Sequence, residues 1–181
     1  MALEQNVLIE AATPLSIAPF GEFIGPHADM PLFAEWEGAR VYGPTPVMVE
    51  SGGEILHACV AAASFPARVS LLERHFHHTQ TYLSANGKPF VMVLGEATKD
   101  GIPDAAALRA FLFTDGAGVV MRAGVWHEFP LALEDDTRFT VLLRAESHVN
   151  QLEAPEHPWD ARGPDLERFD MAARRGIWLT F

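Results

Sequence analysis

The feature that most constrains this chain is its punctuation. Thirteen prolines and 14 glycines are spread along 181 residues, and the stretches between them are short and rich in strand-forming side chains. Candidate strands are residues 40–42, 46–50, 55–62, 68–75, 80–84, 89–95, 110–114, 118–121, 129–133 and 138–144. Many short runs between turn signals suit a β-sandwich or barrel. Helices are expected only at the periphery. Pro14 to Phe20 offers one turn, and Pro103-Asp104 opens AAALRAF, whose Ala107, Leu108 and Phe111 share a helical face. Gly163-Pro164 and Gly176 bracket DLERFDMAARR as the start and stop of a third helix. The ending IWLTF is apolar and needs cover, from its own barrel or from another subunit.

Apolar residues make up 49% of the chain and charged ones 20%, a globular balance. The length suits one domain, residues 1–153, followed by a linker and tail over 154–181 in which APEHPWDARGP is the linker. A formal net charge of −11 without a basic run excludes nucleic acid and anionic membranes as partners. A small anionic substrate stays compatible, because a local arginine or a metal reverses the potential inside one cleft. No run reaches the roughly 18 apolar residues of a membrane span, and the opening MALEQNVLIEAATP lacks the marks of a signal peptide. A cytoplasmic setting is expected. Cys59, the single cysteine, lies in the apolar run LHACVAAASF and is expected in the core.

Polar chemistry concentrates in LLERHFHHTQTYLSANGKPF, from Leu71 to Phe90. Residues two apart on a strand share a face, so Glu73 and His75 look the same way. Gln80 follows after a short loop, and Gly87 permits a turn. Further on, GAGVVMRAGVWH places His127 just after a glycine turn. These two stretches resemble the paired motifs of small cupin barrels, H-x-H-x(3,4)-E-x(6)-G and G-x(5)-P-x-G-x(2)-H-x(3)-N, in altered letters. Glu73 takes the first histidine position, Gln80 the glutamate, Arg122 the proline and Leu131 the asparagine. The resemblance implies an all-β cupin-type double-stranded β-helix with a few short peripheral helices. It also implies a divalent metal held by Glu73, His75, Gln80 and His127, and oxygen plus imidazole ligands suit nickel, manganese, iron or zinc. The plainer alternative makes Glu73 the partner of an arginine and His127 a hydrogen-bonded core histidine. His77 and His78 are either solvated loop residues or the rim of the pocket, where His77 could transfer protons.

Taken in order, TPLSIAPFGEFI, LERHFHHTQTYL, KPFVMVLGE, PDAAALRAFLF and GVVMRAGVWHEFPLAL resemble the ureidoglycolate lyase family. That resemblance implies a cytoplasmic, metal-dependent lyase that splits (S)-ureidoglycolate into glyoxylate and urea in allantoin catabolism, with nickel the metal in some members. A homodimer is expected. Arg122 and Glu128 stand where the family has histidines, and Leu143, Arg144 and Ala145 replace its DRG.

The expected chemistry has the metal polarise the substrate hydroxyl and an arginine grip the carboxylate, Arg122 first and Arg144 second. Glu128 and Tyr82 are further catalytic candidates. Strict strand alternation turns Glu128 away from the inward His127 unless the local turn relaxes it, and Tyr82 is equally an ordinary core aromatic. Trp126 is read as packing. The competing functions are a lyase acting on another hydroxy- or amino-acid adduct and a non-catalytic sensor of a small carboxylate.

Overall fold

The computed structural model describes residues 3–25, 32–36, 39–42, 44–47, 52–147 and 162–181. Strands β1 (Leu3–Asn6) and β2 (Ile9–Ala11) precede helix α1 (Pro14–Ile17), and β3 (Gly21–Ile24), β4 (Leu32–Trp36), β5 (Ala39–Tyr42) and β6 (Gly53–Val60) follow. Next come β7 (Arg68–Val69), β8 (Leu71–His75), β9 (Gln80–Ser84) and β10 (Phe90–Gly95). After a 3-10 turn at Ala105–Ala107 lie β11 (Arg109–Phe113), β12 (Gly118–Met121), β13 (Trp126–His127), β14 (Leu131–Ala132) and β15 (Thr137–Arg144). The chain closes with β16 (Leu166–Asp170), helix α2 (Met171–Arg175) and β17 (Ile177–Thr180).

Two large sheets carry the fold. One runs β16-β8-β13-β10-β11-β2 with β14 also on β10, and the other runs β3-β12-β9-β15-β6. A smaller sheet, β1-β17-β7, forms a third layer, and β4 pairs with β5. Strand β10 shows why the layers stack. Its side chains alternate, Phe90, Met92 and Leu94 entering one apolar core and Val91 and Val93 the other. A strand buried on both faces needs an unbroken apolar run, and FVMVLG supplies one.

The first core lies between the two large sheets. Phe90 stacks on Phe113 at 4.8 Å and meets Phe139 edge-on at 5.0 Å, and Phe20 contacts Phe111 at 5.5 Å. Such pairs add about 0.5–1.5 kcal/mol each beyond their burial. The second core joins Leu72, Val91, Val93, Trp126 and Phe169 to Leu179 of the third layer. Leu179 of the apolar ending is thus buried within its own chain and its neighbours are half-buried, where β17 lies between β1 and β7.

Several expectations are corrected. Residues 165–170 are not helical: Leu166–Asp170 pairs with β8, and only Met171–Arg175 is helix. The start signal there is Asp170, whose carboxylate accepts from the Ala172 and Ala173 N–H groups. The stop signal does hold, because Gly176 adopts φ +67°. AAALRAF splits into a 3-10 turn and β11, so Phe111 is buried by strand alternation. Cys59 is exposed, 3.1 Å from Asp136 Oδ1. Leu56, Ala58 and Val60 take the inner face of β6, which turns Cys59 outward. Residues 44–47 form no strand, and residues 48–50 of that candidate lie outside the described residues, as do 154–161 of the expected linker. No helix among the described residues is long and apolar enough to cross a membrane.

Candidate active site

Three neighbouring strands build the site by register. In the antiparallel ladder, Glu73 of β8 lies opposite His127 of β13 on one side and opposite Arg168 of β16 on the other. Directly opposed residues share a face, so imidazole, carboxylate and guanidinium line up across the sheet. His75, two residues along β8, joins the same face. The turn before β13 fixes this alignment: Gly124 adopts φ +83°, and its N–H donates to the His75 carbonyl at 2.6 Å. A side chain at Gly124 would be strained and would press on Ala97.

Glu73 Oε1 lies 3.5 Å from His127 Nε2 and 3.8 Å from His75 Nε2, while Oε2 accepts from Arg168 Nε at 3.0 Å. Burial pushes the Glu73 carboxyl up, but His127 and His75 outweigh it and hold it well below the usual carboxylate range. His127 Nδ1 is 3.1 Å from the Val125 carbonyl. A carbonyl only accepts, so Nδ1 carries a proton and Nε2 is the ring atom turned toward Glu73.

Glu73, His127 and Arg168 open onto a cleft of about 350 Å³ between the two large sheets, where β16 and β8 face β15 and β6. Gln80 and Tyr82 line it from β9, and Leu56, Val141 and Leu143 make its apolar wall. Gln80 Nε2 approaches the Tyr82 hydroxyl at 3.5 Å. Burial, with the charges of Glu73 and Glu128, raises the Tyr82 phenol well above its ordinary range, so it stays a neutral hydroxyl. Glu128 also lines the cleft. Strand β13 ends at His127, which releases the next residue from strict alternation. Burial raises the Glu128 carboxyl to about 8, the Phe129 N–H opposing and the Glu73 charge adding.

The buried nitrogens of His75, His127 Nε2 and Gln80 Oε1 have no hydrogen-bond partner among the described residues. Leaving such groups unsatisfied costs about 1–3 kcal/mol each. Glu73, His75 and His127 bring their ligand atoms within 4.8 Å of one another. Lone pairs converging on a carboxylate in a cleft are a donor set that fits a divalent cation. Both contacts of the plainer alternative are present, since Glu73 has an arginine partner and the buried His127 bonds a carbonyl, yet each keeps an atom for this cluster.

The other sequence candidates lie elsewhere. Arg122 is exposed, donates to the Ala18 and Pro19 carbonyls and does not line the cleft. The Arg144 guanidinium pairs with Glu146 at 2.8 Å, and Arg144 does not line the cleft. His77 is exposed, and its backbone N–H donates to Asp165 Oδ1. Its neighbour His78 is fully buried, its ring 4.7 Å from that of His75 and tilted 46° to it, with Nδ1 2.9 Å from Asp165 Oδ2. Burial drives His78 down to about 4, the nearby His75 charge adding and Asp165 opposing, so it is neutral. Trp126 packs in the second core and donates to Thr98 Oγ1. The sequence reading missed Arg168 and Asp165, and alternation within LERFD was the one local signal for the former.

A jelly roll of short strands with a His/Glu cluster in a cleft between its sheets places the molecule among all-β, cupin-type enzymes. Residues 4–161 match the family described as Ureidoglycolate lyase. The ureidoglycolate lyase of Azotobacter vinelandii is 32% identical over 146 residues, covering 78% of this chain and 87% of the relative. That of Brucella anthropi is 32% identical over 152 residues, covering 81% and 87%, and that of Pseudomonas paraeruginosa 30% over 151 residues, covering 81% and 88%. The chain belongs to the ureidoglycolate lyase family.

Proposed function

We propose that this protein cleaves (S)-ureidoglycolate into glyoxylate and urea. The observation that carries the reading is the Glu73–His75–His127 cluster, set in a cleft of the family's own fold. In the reaction the hydroxyl loses its proton, its oxygen electrons form the aldehyde carbonyl, and the carbon–nitrogen bond breaks. Its electron pair goes to the ureido nitrogen, which takes a proton and leaves as urea.

Glu73, His75, Gln80 and His127 would hold the divalent ion, nickel by family likeness. When bound, the ion supplies Lewis acidity that lowers the hydroxyl pKa. The chain's own groups do the rest. Glu128 reaches the cleft beside His127 and is the acid/base group for the hydroxyl and nitrogen protons. The buried Tyr82 hydroxyl orients the substrate's polar end. Leu56, Val141 and Leu143 keep water from the far wall, which strengthens every electrostatic contact inside.

The test is metal analysis of the purified protein, followed by glyoxylate release from (S)-ureidoglycolate before and after chelation. We expect release that chelation abolishes and a divalent ion restores. A metal-loaded, folded protein that releases no glyoxylate would refute the proposal.

A further inference from the structure

The family match ends at residue 161, yet the site does not. Strand β16 comes from beyond that limit and pairs with β8, bringing residues to both sides of the catalytic strand. On the cleft side it places Arg168 opposite Glu73, with the arginine side chain 17% exposed. Among the described residues lining the cleft, Arg168 is the one lysine or arginine. On the other side Glu167 is gripped by Arg74, which rides over the Trp126 ring at 4.5 Å. Just before β16, the fully buried Asp165 accepts from the Phe76 and His77 N–H groups and from the Ser147 hydroxyl at 2.6 Å. Those bonds fix the loop that joins His75 to Gln80.

We propose that this carboxy-terminal strand is part of the active site and that Arg168 is the specificity-determining residue that binds the substrate carboxylate. This rests on the ureidoglycolate reading for the identity of the substrate, but not for the existence of a carboxylate subsite. In a chain with a formal charge of −11, a cleft that presents the Glu73 carboxylate attracts an anion better with a fixed side-chain cation beside the divalent ion. A guanidinium offers five donors in a planar fork that matches a carboxylate. The contact from Arg168 Nε to Glu73 Oε2 holds that fork on the cleft wall beside the His/Glu cluster. Register sets the spacing: one side chain of a cross-strand row takes the carboxylate while the next ones hold the reacting carbon's hydroxyl.

The experiment uses the full chain loaded with its divalent ion and three proteins: wild type, Arg168→Gln and Arg168→Lys. Glyoxylate binding by calorimetry is the turnover-independent probe, and steady-state kinetics on (S)-ureidoglycolate runs beside it. Bound metal and melting temperature are recorded for each protein. We expect R168Q to weaken glyoxylate binding and raise KM by roughly 10- to 100-fold, the worth of a charge-assisted hydrogen-bonded pair. R168K should fall between, because it keeps the charge and loses the fork. Metal content should not change. Unchanged glyoxylate affinity in R168Q, or a loss confined to kcat and bound metal, would overturn the proposal and leave Arg168 as a positioning partner of Glu73. Absence of glyoxylate binding by folded wild type would overturn it too. A wild type that binds glyoxylate through Arg168 but does not cleave ureidoglycolate would retire the proposed reaction and uphold the carboxylate subsite.

Discussion

Strand β16 reaches the site only if it stays docked on β8, and one buried ion pair is central to that docking. Arg74 donates to Glu167 Oε2 through Nε at 3.0 Å and Nη2 at 2.6 Å, and also to the Thr98 carbonyl at 3.0 Å. The two side chains are 11% and 4% exposed. Glu167→Ala leaves Arg74 buried over Trp126 without its counter-charge, a loss that costs about 3–5 kcal/mol. The contact of Glu167 with Arg162 adds little to this figure, because the Arg162 side chain is 69% exposed. In a chain of this size each kcal/mol moves the melting temperature by roughly 2–4 °C, so E167A should melt at least about 6 °C below wild type. Urea denaturation should show the same loss as a lower midpoint. Replacing both partners by methionine removes the charges together and should recover most of the deficit. If E167A lies within about 0.5 kcal/mol of wild type, the pair does not hold the strand. If the double variant is as unstable as the sum of the two singles, the residues are not coupled.

Two smaller perturbations probe the rest of the site. Arg122→Ala should leave KM and kcat within about twofold of wild type, since its guanidinium is exposed on the Ala18 and Pro19 carbonyls; a tenfold rise in KM would return Arg122 to the substrate. Gly124→Ala forces an alanine to φ +83°, which costs about 1–3 kcal/mol. It should also weaken metal affinity, because the turn sets His127 opposite Glu73; titration of the metal-free protein with the divalent ion measures both effects against a denaturation curve.

What could be read from the sequence was what is local. The unbroken apolar run FVMVLG marks a strand buried on both faces, and the i, i+2 spacing of Glu73 and His75 places them on one face by strand periodicity alone. Glycine spacing around His127 brings its turn into view for the same reason. Local rules failed where sheet order decides. LERFD sits between a glycine-proline pair and Gly176 and carries arginine and alanine further on, so its neighbours argue for helix, and only the open place beside β8 makes it a strand. Arg168 and Glu73 are 95 residues apart, and no spacing rule links them; the register of the β16–β8 ladder does. Glu128 escaped alternation because pairing stops at His127, and Cys59 faces outward because Leu56 and Ala58 claim the inner face of β6. A site assembled across three strands therefore announces in sequence those members that share a strand or a turn. The member that supplies its positive charge is fixed by which strand the sheet accepts at its edge.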